Sequence, residues 1–72
     1  MEKDLNYYMK LPYRIVYEQD EDIWYAYIPE LGRRACYGQG RTKEQALESL
    51  NLVKEDIITY CLEHNLSIVE PY

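Results

Sequence analysis

The stretch Ile23-Trp24-Tyr25-Ala26-Tyr27-Ile28-Pro29 decides the fold. Aromatic and β-branched residues dominate it, which is strand composition. Proline ends it, because proline has no amide proton to offer a sheet ladder. Successive side chains of a strand point to opposite faces. Trp24, Ala26 and Ile28 therefore share one face, and Tyr25 and Tyr27 share the other. A helix can approach closely over the small Ala26. The expectation is a helix packed on Trp24, Ala26 and Ile28, with both tyrosines turned away from it.

Towards the N-terminus, residues 7–18 read YYMKLPYRIVYE. Tyr13, Ile15 and Tyr17 alternate with Arg14, Val16 and Glu18, which is the period of a strand. Pro12 belongs at its start or on a sheet edge. The acidic run Glu18-Gln19-Asp20-Glu21-Asp22 interrupts the apolar pattern and reads as a turn, so the two strands should form an antiparallel hairpin. The charged residues 1–6 are expected to fray.

Towards the C-terminus, residues 30–34 read as a loop containing Gly32, and residues 35–38 as a short third strand. Gly38-Gln39-Gly40 lacks the spacing and the Lys of a phosphate loop and suits a tight turn into a helix. Thr42 followed by Gln45 is a capping box, and Glu44 lies where the helix dipole favours negative charge. The helix is expected over residues 43–64. Ala46, Leu50, Val53, Ile57 and Cys61 form its apolar stripe, flanked by Leu47, Ile58 and Tyr60. Glu48, Glu55, Thr59 and Glu63 make the solvated side. Leu52 and Leu62 fall outside the stripe, as surface leucines or as a subunit contact. Asn65 can take the left-handed conformation that stops a helix. Residues 66–70, LSIVE, read as a final strand ended by Pro71.

The expected fold is α+β, in the order β-β-β-α-β. Four strands form a mixed sheet in the order 3-2-1-4, joined by a right-handed crossover, with one helix on one face. The 72 residues make a single domain with a thin core. The other sheet face has no second layer.

Composition narrows the function. Thirteen acidic against eight basic residues give a net charge of −5, which repels phosphate backbones and attracts basic proteins. Direct nucleic-acid binding is therefore not expected. Nine tyrosines, one tryptophan and no phenylalanine suit a half-wet interface. The first twenty residues are too charged for a signal peptide, and no stretch has the length and apolarity of a membrane span. The expected location is the cytoplasm.

Chemical constellations are sparse. A metal-dependent nuclease site needs converging carboxylates, and Arg14-Ile15-Val16 offers none. Asp20-Glu21-Asp22 lacks the glycine and distal glutamate of a calcium loop. His64, at a helix end, has no nucleophile to serve. Cys36 and Cys61 read as reduced, half-buried thiols. Arg33, Arg34 and Arg41 form a small basic patch suited to ion pairing. No catalytic residue, metal or cofactor is expected.

One ordered set of residues carries a resemblance. Trp24-Tyr25-Ala26-Tyr27-Ile28-Pro29-Glu30-Leu31-Gly32, then a short strand, then Gly40-Arg41-Thr42-Lys43-Glu44-Gln45-Ala46 resembles the HicB-like antitoxin family. An aromatic and an alanine on strand two, a Pro-Glu-Leu turn with Gly, and Gly-x-Thr opening the helix are its marks. Many members read Pro-Glu-Leu-Pro-Gly at the turn, and here the second proline is missing. Many also carry a C-terminal DNA-binding domain, so this chain resembles a short form.

The resemblance implies a partial ribonuclease-H-like fold. It also implies a protein-binding antitoxin that occludes the active site of a small basic HicA-type toxin, an mRNA-cleaving ribonuclease. The residues expected to meet that partner are Glu18, Asp20, Glu21, Asp22, Tyr25, Tyr27 and Glu30. A homo-oligomer, dimer or higher, is also expected. The alternative is a stand-alone oligomeric module of the same fold that binds a ligand or another protein without a toxin partner. A metal-dependent nuclease ranks last.

Overall fold

The computed structural model describes residues 3–32 and 34–71. The element order is α1 (Leu5–Met9), β1 (Val16–Asp20), β2 (Ile23–Tyr27), a 3-10 turn (Pro29–Leu31), β3 (Tyr37–Gly40) and α2 (Lys43–Glu63). β1 and β3 both pair with β2, and both pairings are antiparallel.

This corrects the expected β-β-β-α-β order and the mixed 3-2-1-4 sheet. Among the described residues the sheet has three strands, and residues 66–70 are not a strand. The segment runs instead beside α1 and is held by tyrosines. Tyr13 Oη donates to the Val69 carbonyl, and Tyr7 Oη donates to Glu70 Oε1 at 2.5 Å. Lys3 Nζ adds an ion pair to Glu70 at 3.5 Å. These bonds tie the segment to the N-terminal elements, and β1 remains an edge strand.

The N-terminal part of the expected first strand is also corrected. Leu5–Met9 is a short helix, and Asp4 caps it by accepting from the Tyr7 amide at 2.9 Å. The residues LNYYM contain no β-branched side chain, and the Asp4 cap starts the helix although Asn6 and the tyrosines are only modest helix formers. The strand begins only at Val16 and continues through Glu18-Gln19-Asp20, which had read as a turn. The turn itself is confined to Glu21 and Asp22, between the paired residues Asp20 and Ile23. Glu21 accepts the left-handed conformation there, with φ of 55°.

β3 lies two residues later than expected. Gly38 pairs with Ala26 and Gly40 with Trp24, so both glycines belong to the strand. Close packing explains them. A Cβ on Gly38 would come within 2.5 Å of the Ala46 carbonyl oxygen, so the α2 backbone sits directly on β3.

α2 starts as the capping box requires in one half and departs from it in the other. Thr42 Oγ1 accepts from the Gln45 amide at 3.1 Å. Gln45 Oε1 accepts from the Arg41 amide, one residue before the cap. His64 caps the other end, and Asn65 follows in the left-handed region with φ of 54°.

Ala26, Ile28, Cys36, Ala46 and Leu50 are fully buried and form the core with Tyr13. Trp24, Leu11, Ile15, Leu31, Leu47 and Ile57 pack around it. Full burial of a side chain such as Leu50 or Ile28 contributes roughly 1.5–3 kcal/mol. The buried line of α2 is Ala46, Leu50, Lys54 and Ile58, rotated from the expected stripe. Lys54 occupies a core position, only 7% exposed. Its Nζ lies 3.5 Å from the Met9 carbonyl oxygen, at the end of α1, and 5.0 Å from the Tyr13 ring centroid. The aliphatic stem fills space while the ammonium finds a carbonyl and a π face.

Both cysteines are free thiols, but Cys36 is wholly buried and only Cys61 is half-buried. Burial pushes the Cys36 thiol pKa up, against a smaller lowering by nearby Lys54. No helix among the described residues is long and apolar enough to cross a membrane.

Candidate functional site

The sheet has one covered face and one open face, and β2 assigns them. Ala26 and Ile28 are buried under α2, and Trp24 packs against the same core. Lys43 of α2 places its Nζ 5.0 Å from the Trp24 ring and 5.6 Å from the Tyr17 ring, marking that side of β1 and β2 as the helix side. Residues directly opposite in an antiparallel pair project to the same face. Tyr25 lies opposite Glu18 and Gln39, and Tyr27 lies opposite Val16 and Tyr37. Tyr25, Tyr27, Tyr37 and Glu18 therefore share the face away from α2.

A basin of about 740 Å³ opens on this face, lined by Glu18, Gln19, Asp20, Tyr25, Tyr27, Arg34 and Tyr37. The Tyr27 hydroxyl donates to Glu18 Oε1 at 3.3 Å, a diagonal contact between β2 and β1. Tyr37 is 44% exposed, while Tyr25 and Tyr27 are half-buried. Among the described residues, the phenolic floor is accompanied by the carboxylates of Glu18 and Asp20 and by the guanidinium of Arg34. Among the described residues no three His, Cys, Asp or Glu side chains group to hold a metal ion.

The seven residues expected at the interface are divided among three places. Glu18, Asp20, Tyr25 and Tyr27 line the basin. Glu21 and Asp22 border a second depression at the hairpin tip, with Gln19, Ile23 and Arg41. Glu30 belongs to neither. It sits half-buried on the 3-10 turn, and its negative charge is felt by the buried Tyr13 hydroxyl. One carboxylate oxygen of Glu30 is buried and has no hydrogen-bond partner among the described residues.

Tyr37 and Arg34 were not singled out for this surface. The register of β3 on β2 puts Tyr37 beside Tyr27, and no local pattern in the sequence fixes that register. The basic patch is not one site. Arg34 lines the basin and Arg41 the hairpin-tip depression, while Arg33 lies outside the described residues. His64 packs against Tyr60 with its ring tilted by 43° and centroids 4.3 Å apart.

Comparison with protein-family models, with curated proteins and with solved structures returned no match. The likeness to HicB-like antitoxins rests on the quoted residues, 24–32 and 40–46.

Proposed function

We propose that this chain is a protein-binding module of HicB-like antitoxin type, which neutralises a small basic HicA-type ribonuclease by covering its active site. The observation that carries this reading is the sheet face left open by α2, where three tyrosines stand beside Glu18 and Asp20. Tyrosine gives a large, rigid contact area at low entropic cost, and aromatic side chains anchor interfaces. The net charge of −5 speeds encounter with a basic protein. Occlusion needs no chemistry from this chain, so it acts as a binding protein and not as an enzyme.

Co-expression with a small basic HicA-type ribonuclease tests the proposal. The intact chain should restore growth and co-purify with the toxin, and the double variant Tyr25→Ala, Tyr27→Ala should do neither while remaining folded. Failure of the intact chain to bind or silence any such toxin removes the reading.

A second reading draws on a different surface. Leu52, Tyr60, Leu66 and Val69 are all more than half exposed, and an oligomeric module would cover such residues with copies of itself. Light scattering on the purified chain separates this from a monomer.

A further inference from the structure

We propose that β1 is a self-association edge: two copies of this chain pair antiparallel through it about a two-fold axis at Tyr17, with Arg14 of each copy opposite Asp20 of the other. The proposal stands apart from the antitoxin reading, because it concerns the rim of the sheet and not its open face.

The backbone offers the edge. Among the described residues no strand lies beside the outer side of β1. Asp20 and Ile23 flank a two-residue turn, so this pair closes the ladder by exchanging hydrogen bonds. Bonded and non-bonded pairs alternate along an antiparallel ladder, so Val16, Glu18 and Asp20 turn their amides and carbonyls to β2. Those of Tyr17 and Gln19 turn outwards, where an edge is a template for another strand.

Burial distinguishes this edge from the other. α2 packs on β3 and β2 and gives β1 little cover. Tyr17 and Gln19 are exposed although they project to the helix side, and Tyr17 is 37% exposed. A wide ring left half-wet beside an uncovered edge suits an interface. β3 carries glycines at 38 and 40, which offer no side chains to fix a register.

Charge selects a second copy and sets the register. Residues opposite each other across an antiparallel pair project to the same face. Of the symmetric registers that keep all of β1 paired, one is centred on Glu18 and one on Tyr17. Only the register centred on Tyr17 sets Arg14 opposite Asp20, and symmetry makes that pair twice. Both side chains are exposed, and neither has an ion-pair partner among the described residues. The same register places Tyr17 against Tyr17 on the helix side, where the two rings cover each other. Opposite charges and aromatic pairs across strands both stabilise a sheet. Charged residues ordinarily discourage pairing at an edge. Here the arginine two residues before β1 makes the charge pattern complementary to its own two-fold copy. Domains of this size often gain stability from a partner subunit.

The test is sedimentation equilibrium of the full chain from micromolar to millimolar concentration at low salt. A monomer–dimer equilibrium is expected. Arg14→Asp and Asp20→Arg should each weaken it by about tenfold, because each turns two attractive pairs into two repulsive ones. The double variant carrying both substitutions should recover the wild-type dimer to within about threefold, which damaged single variants could not explain. Amide exchange at Tyr17 and Gln19 should slow as concentration rises.

A chain that stays monomeric throughout overturns the proposal. A dimer indifferent to both single variants overturns it in favour of another surface, and loss of that dimer in Leu52→Asp would put the contact on α2. Weakening by both single variants with no recovery in the double variant overturns the Tyr17 register. Toxin binding is read separately by co-expression, so either reading can fail without the other.

Discussion

Gly38 lies so close beneath Leu50 that a methyl group on its Cα would stand 2.1 Å from the Leu50 amide nitrogen. That separation sets the distance between the helix and the sheet. The obstacle is backbone, which cannot rotate aside. Gly38→Ala must lift α2 or tilt it, and overpacking of this kind costs about 2–3 kcal/mol. Urea denaturation of Gly38→Ala against wild type should read this loss. A change below about 0.5 kcal/mol, the size of an ordinary surface substitution, would mean that the helix does not sit on this strand.

Lys54 separates the work of a side-chain stem from that of its charge. Burial lowers its pKa from 10.5, partly opposed by the thiol of Cys36. The native state therefore binds its proton less tightly than the unfolded chain does. Between the lowered value and 10.5, stability contributed by this group rises with pH. Lys54→Met keeps the stem and should remove that rise with little loss at neutral pH. Lys54→Ala leaves a cavity and should cost about 2 kcal/mol or more. Stability curves from neutral pH to 10.5 for both variants check this.

Tyr13 behaves in the opposite sense. Burial first, and then the negative charges of Glu70 and Glu30 and its tyrosine neighbours, push its pKa from 10.0 up to about 12. The folded state holds the phenol proton longer than the unfolded state. Its contribution is complete below pH 10 and lost as pH rises through 12. Tyrosinate absorbance should show one of the nine tyrosines titrating late. Tyr13→Phe should abolish that late step and, by removing the bond to Val69, cost about 1 kcal/mol at neutral pH.

Glu70 gives the C-terminal segment an acid-sensitive tie. The hydrogen bond from Tyr7 holds its carboxyl below the usual value of 4.5, opposed next by desolvation and then assisted by the charge and hydrogen bond of Lys3. The tie is present above 4.5 and lost as pH falls through the lower folded value. Amide exchange of residues 66–70, compared with α2 as an internal standard, should accelerate on acidification. Glu70→Gln or Tyr7→Phe should give the faster exchange already at neutral pH.

Glu21 holds a left-handed conformation, with φ of 55°, at the tip of the hairpin. Such a conformation costs an L-residue about 1–2 kcal/mol, whereas glycine adopts it without a steric penalty. Glu21→Gly should therefore raise the thermal midpoint, by up to about 1 kcal/mol in stability once the extra chain entropy is subtracted. A lower midpoint would mean that the Glu21 side chain supports the turn.

Local chemistry made several elements legible. Alternation in residues 23–28 assigned the two faces of β2, because strand period alone decides which side chains share a side. Thr42 and Gln45 marked the start of α2, because capping involves only neighbouring residues. Other elements depended on distant neighbours. Residues 66–70 have strand composition, but Tyr7 and Tyr13 hold them beside α1. Gly38 and Gly40 looked like a turn because their role, admitting the helix backbone, lies in contacts made across the fold. Lys54 was not singled out as a core position, because its carbonyl and aromatic partners come from residues 9 and 13.

The site divides along the same line. The sequence by itself determined that Tyr25 and Tyr27 share a face, that Ala26 lets a helix come close, and that the surface is acidic. These follow from covalent order, side-chain size and charge. Only the tertiary structure decided that Tyr37 and Arg34 join the basin and that Glu30 does not. Strand register and the path of a turn are set by the best packing of the whole core, which no window of neighbouring residues contains.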